Sequence, residues 1–111
     1  MEKLFSYGTL QQENVQLKSF NRVLDGVLDV LQGYQLEELE ITDEFVVKTS
    51  QKKSHPIIFS SNSLQDEING TVFKITSSEL LHADSYEVAD YKRAEVTLRS
   101  GIRCWAYIGN R

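Results

Sequence analysis

Residues 94 to 108 constrain the chain most strongly. Ala94, Val96 and Leu98 alternate with Glu95, Thr97 and Arg99. That period of two is the signature of a strand with one buried face. Ser100-Gly101 then marks a turn, and Cys104, Ala106 and Ile108 alternate with Arg103, Trp105 and Tyr107. Two such runs around a turn signal predict a β-hairpin. A hairpin cannot stand alone in water, so the rest of the chain must supply partner strands and a cover for the apolar face.

The remaining segments read as those partners. Glu2–Ser6 is a short strand that stops at Gly8, and Gln11–Phe20 is a short helix or turn. From Arg22 to Gly33 the pattern is strand-like, with Gly26 inside it predicting a bulge or bend. Tyr34–Ile41, Phe45–Val47, Ile57–Phe59 after Pro56, and Ile68–Ile75 are further strand candidates. Ser77 is placed as the N-cap of a second short helix running to about Glu87. The expected fold class is α+β: a small, mixed, mostly antiparallel β-barrel with two short helices, as one domain over residues 1–111.

Charge and composition remove several functions. The net charge is −4, and the only basic groups are short, Lys52-Lys53 and Lys92-Arg93. Nucleic-acid binding draws its affinity from phosphate neutralisation by a basic stripe, so no nucleic-acid partner is expected. No apolar run approaches the ~20 residues that cross a bilayer, and no membrane association is expected. Glu2 and Lys3 lead directly into a strand pattern instead of a secretory leader, which reads as a cytoplasmic protein. Cys104 is the single cysteine, on the apolar register of its strand, and reads as an inert core residue. One cysteine and two separated histidines, His55 and His82, offer no zinc-ligand spacing. The reading is of a protein with no cofactor and no metal.

Two regions carry residues suited to chemistry. Tyr7-Gly8-Thr9-Leu10 ends the first strand, where a glycine permits a tight turn and successive N–H groups can face one concavity. Taken alone, the same residues are a plain strand-ending turn. Asp84-Ser85-Tyr86-Glu87 closes the second helix, followed by Tyr91 and Arg93. Glu87 is either a general acid/base or a solvated helix-end carboxylate; Tyr91 is a cleft hydroxyl or a packing residue. Arg93 is an anion ligand, a carboxylate partner or a surface charge, and Asp84 caps or orients the helix end. His82 has no evident partner and is expected to be exposed.

The order of these pieces resembles the γ-glutamylcyclotransferase-like (AIG2-like) family. Phe5-Ser6-Tyr7-Gly8-Thr9-Leu10 resembles its opening motif, and Gly33-Tyr34 with Pro56 its middle section. Ile68–Ile75 resembles its glycine-led strand, and Leu80-Leu81, Asp84, Tyr86-Glu87, Tyr91 and Arg93 resemble its helix and the following Tyr-x-Arg. The likeness runs from Phe5 to Tyr107. It implies a small mixed barrel, usually cofactor-independent, that releases 5-oxoproline from γ-glutamyl compounds. It maps the catalytic glutamate onto Glu87 and the substrate-binding loop onto Tyr7, Gly8, Thr9 and Leu10, with Tyr91 beside them. The partner so implied is a small-molecule γ-glutamyl amine or amino acid. Thr42–Ser54 matches no part of the pattern, and His55 stands where the family often has an aromatic residue; both are expected near the pocket mouth. The alternatives on the same fold are a non-catalytic metabolite-binding protein and a protein-interaction domain using the Trp105 and Tyr107 face of the hairpin.

Overall fold

The computed structural model describes residues 1–40, 54–87 and 89–110. In chain order these form β1 (Glu2–Ser6), a 3-10 turn (Thr9–Gln11), α1 (Glu13–Phe20), β2 (Gly26–Gln32), β3 (Tyr34–Glu40), β4 (Ser54–Ser60), β5 (Glu67–Ile75), α2 (Ser77–Tyr86), β6 (Tyr91–Thr97) and β7 (Arg103–Gly109). The strand read at Phe45–Val47 lies outside the described residues.

The hairpin predicted from alternation is present: β6 and β7 pair antiparallel, with Val96 opposite Cys104 and Ala94 opposite Ala106. Five strands form one sheet in the order β2-β5-β1-β7-β6, and β3 pairs with β4 in a separate ribbon. All ladders are antiparallel except that between β1 and β7.

β1 lies at the centre because both of its faces are apolar. Leu4 and Phe5 are consecutive, so they point to opposite faces, and both are buried. Phe5 packs with Leu31, Ile58, Val72, Cys104 and Ala106, beneath the β3–β4 ribbon. Leu4 packs with Leu24, Phe73, Ile75 and Leu80, beneath the two helices. The result is three layers: helices, sheet, ribbon.

The expected barrel is not closed. The edge strands β2 and β6 form no ladder. The turn that follows β6 is bonded to β2, where the Arg99 N–H donates to the Val30 carbonyl at 2.8 Å and the Ser100 hydroxyl to Asp29 Oδ2 at 2.5 Å. The sheet curls without closing, and the ribbon covers the face that closure would have enclosed.

Two smaller expectations shift. Gly26 is not in a bulge; it begins β2 opposite Phe73, and a Cβ there would stand 2.6 Å from the Phe73 ring. The N-cap of α2 is Thr76, one residue before Ser77. Thr76 accepts from the Glu79 N–H at 3.0 Å, and Glu79 accepts in return from the Thr76 N–H at 2.8 Å, a complete capping box. Glu79 also takes a two-pronged bond from Arg22, at 2.8 and 2.7 Å, which ties the start of α2 to the segment after α1. That guanidinium bond holds the Glu79 carboxyl down at about 2.

Candidate active site

The loop after β1 and the residue that ends α2 line one cleft. It holds about 80 Å³, and its walls include Tyr7, Gly8, Thr9, Leu10, Glu87 and Tyr91. The loop residues Tyr7 to Leu10, Glu87 and Tyr91, named as site residues from the sequence, therefore line one cleft. Tyr107, Pro56, Ser6 and His55 line it as well. His55 was read near the mouth and is a wall residue; Thr42–Lys53 lies outside the described residues.

The loop is held by backbone and side-chain bonds on both sides. Tyr7 donates its hydroxyl hydrogen to the Tyr107 carbonyl at 2.6 Å. The Gln11 N–H closes the 3-10 turn on the Gly8 carbonyl at 3.2 Å. Thr9 and Leu10 precede that bond, so their N–H groups open the turn without an acceptor within it. Beneath them the buried side chain of Gln16 spans two segments, donating to the Leu10 carbonyl and accepting from the Leu24 N–H, each at 2.8 Å. Sequence reasoning missed Gln16, because a glutamine in a polar stretch carries no signal of burial.

Gly8 departs from the expected reason for a glycine. Its φ is −124°, which is not left-handed, and a Cβ would meet Pro56 Cγ at an ordinary 3.4 Å. The packing does not demand glycine. What the missing side chain leaves is free surface on the cleft wall.

Glu87 is the residue at which α2 stops: its backbone is extended, and its N–H reaches back to the Asp84 carbonyl at 3.4 Å. The residue stays accessible to solvent, as a group that meets an incoming ligand must. Its carboxyl is nevertheless crowded from the protein side. That burial, with a contribution from the Asp84 charge, pushes it up from 4.5 to about 7.

Three tyrosines surround it, and each hydroxyl is already committed. Tyr7 bonds the Tyr107 carbonyl, Tyr91 bonds the Pro56 carbonyl at 2.6 Å, and Tyr107 bonds Asp84 Oδ1 at 2.7 Å. Burial raises all three above the ordinary tyrosine value, and the nearby Glu87 charge adds to each. They stay protonated and donate to protein acceptors. Among the described residues that line the cleft, Glu87 is thus the carboxyl group suited to carry a proton near neutral pH.

Other candidates are assigned elsewhere. Arg93 does not line the cleft; its Nε pairs with Asp84 at 3.1 Å and its guanidinium stacks over Trp105 at 4.5 Å. Trp105 and Tyr107 do not form a free aromatic face. They pack against the core beneath the helices, with Trp105 Nε1 donating to Glu2 at 3.1 Å. His82 is exposed as expected, but its ring meets the edges of Phe20 and Tyr86. Cys104 is buried as expected, its thiol pushed up to about 11 by burial.

This fold recurs in solved structures. A protein from Arabidopsis thaliana, solved in solution, is 25% identical with a TM-score of 0.75, over 97% of this chain and 61% of its own. A structure described as gamma-glutamyl cyclotransferase is 22% identical with a TM-score of 0.68, over 99% of this chain and 67% of its own. An uncharacterized Homo sapiens protein is 23% identical with a TM-score of 0.72, over 99% and 67%. The fold is therefore that of the cyclotransferase-like α+β proteins. The family model for gamma-glutamyl cyclotransferase, AIG2-like proteins matches residues 4–111, and the chain belongs to that family. No curated protein matches the chain. The described residues contain no helix long and apolar enough to cross a membrane.

Proposed function

We propose that the chain is a γ-glutamylcyclotransferase that releases 5-oxoproline from a γ-glutamyl amine or γ-glutamyl amino acid. The observation that carries this reading is the position of Glu87, facing the Tyr7–Leu10 loop in one cleft with its carboxyl raised to about 7. Such a group exchanges protons freely at neutral pH.

The chemistry is intramolecular. The substrate's α-ammonium loses a proton to Glu87, and the freed amine nitrogen attacks the γ-carbonyl carbon. The new C–N bond closes a five-membered ring. Glu87 returns the first proton to the departing nitrogen as the original amide C–N bond breaks, then takes the second proton from the ring nitrogen and passes it on, so the amine leaves as an ammonium and Glu87 ends as the carboxylate. Atoms and charges balance without an added reagent. The three tyrosines keep their protons on protein acceptors, so the same carboxyl serves as base and then as acid. The open N–H groups of Thr9 and Leu10 are suited to hold the substrate's carboxylate or carbonyl oxygen. Holding the chain folded supplies most of the acceleration, since well-oriented intramolecular reactions reach effective molarities of ~10⁵ M or more.

The test is incubation with a panel of γ-glutamyl amino acids and γ-glutamyl amines, assaying 5-oxoproline. Release from at least one class is expected. Binding of a panel member with no 5-oxoproline would instead identify a metabolite-binding protein on the same fold.

A further inference from the structure

Asp84 lies one turn before Glu87 and does not line the cleft, yet it is bonded to two strands. Its Oδ1 receives the Tyr107 hydroxyl at 2.7 Å from β7 and the Arg93 Nε at 3.1 Å from β6. Arg93 is itself pinned by its stack over Trp105. Tyr107 faces two ways, for its carbonyl receives the Tyr7 hydroxyl at 2.6 Å. One continuous chain of bonds therefore runs from Arg93 through Asp84 and Tyr107 to Tyr7, joining the end of α2 to the loop after β1. Glu87 and that loop are the two walls this chain connects.

We propose that Asp84 is a positioning residue, which docks the C-terminal end of α2 onto β6 and β7 and so sets where the Glu87 carboxylate stands against the Tyr7–Leu10 loop. This inference rests on the cyclotransferase reading for its catalytic consequence, but its structural part does not need turnover. The helix end has few other ties. Among the bonds of the described residues, Glu87 itself contributes only its long N–H bond to the Asp84 carbonyl.

The Asp84 carboxylate also contributes charge. It is the like-charged neighbour that acts on Glu87 after burial itself. The other groups facing that region are Arg93 and Tyr91 from β6, Tyr107 from β7, Tyr7 from the loop and His55 from β4. Glu38 and Asp90 lie close enough to act on Tyr91. Replacing Asp84 by asparagine keeps an acceptor for Tyr107 and removes one negative charge, so Glu87 should ionise at lower pH.

The experiment compares the parent with Asp84→Asn and Tyr107→Phe, the latter keeping both charges and removing only the docking bond. NMR of ¹³C-labelled glutamate carboxyls and tyrosine rings follows Glu87 and Tyr7 in each protein, and the pH profile of kcat/KM follows Glu87 in turnover. In Asp84→Asn the Glu87 titration is expected to move towards the ordinary carboxylate value, and the rising limb of the profile to move with it. In Tyr107→Phe the expected change is a fall in kcat with little change in KM, and altered NMR shifts at both Glu87 and Tyr7. A folded Asp84→Asn variant whose Glu87 titrates as in the parent, or a Tyr107→Phe variant with both signals unmoved, would overturn the proposal. If Asp84→Asn does not fold, Tyr107→Phe decides alone. A parent with no turnover defeats the cyclotransferase reading, while the NMR shifts still decide the role of Asp84.

Discussion

The Tyr7 hydroxyl donates to the backbone carbonyl of Tyr107 at 2.6 Å, joining residues a hundred positions apart. It holds the loop that follows β1 against the far strand of the hairpin, and that loop lines the same cleft as Glu87. Removing the hydroxyl by Tyr7→Phe should cost about 1 kcal/mol of stability, the usual net worth of such a bond. The catalytic loss should be larger in proportion, because a loop displaced by about 1 Å can lose about 10²-fold in rate. A melt paired with a cyclisation assay separates the two; equal activity at reduced stability would limit Tyr7 to a structural role.

Glu87→Gln should abolish turnover and leave folding and ligand binding largely intact. The amide matches the carboxylate in size but accepts no proton near neutral pH. General acid/base groups contribute about 10²–10⁴-fold, and the loss should fall at least in that range. Tyr91→Phe, whose hydroxyl is bonded to the Pro56 carbonyl, should lose less. A folded Glu87→Gln variant with near-normal turnover would remove the glutamate from the mechanism.

The pH dependence has two parts. The profile of kcat/KM should rise as Glu87 ionises around pH 7 and fall as the substrate ammonium, at roughly 8, loses its proton. Stability should run the other way. The folded state raises the Glu87 value from 4.5 to about 7, so it binds this proton more tightly than the unfolded chain. The stabilisation is fully present below pH 4.5 and is lost as pH rises through about 7. Glu87→Gln should therefore melt higher than the parent at pH 8 and show no such advantage at pH 4. Identical differences at both values would mean that the carboxyl is not raised in the folded protein.

Gly8→Ala should fold almost normally and bind poorly. The added Cβ meets Pro56 at ordinary contact distance and the backbone is not left-handed, so stability should change by no more than about 0.5 kcal/mol. The methyl would occupy the cleft wall. A misfit of one carbon is worth about 10-fold or more in specificity, which should appear in KM or in titration with a γ-glutamyl ligand. Unchanged binding would mean that the substrate does not approach Gly8.

The hairpin was legible in the sequence because alternation is local: Val96, Leu98, Cys104 and Ala106 report their faces through their nearest neighbours. The loop at Tyr7–Leu10 and the glutamate at position 87 were legible through the order of short motifs along the chain. Their meeting in one cleft depends on sheet order, since β1 lies beside β7 and β7 beside β6. Only the tertiary structure packed Trp105 and Tyr107, both partly buried, against the core beneath the helices, gave Arg93 to Asp84, buried Gln16 under the loop and left the sheet curled but unclosed. Each of these depends on how separate elements pack against one another, which no local period can encode. The raised carboxyl of Glu87 belongs with them: its cause is the protein packed around it, and burial is a sum over residues that only the finished fold brings together.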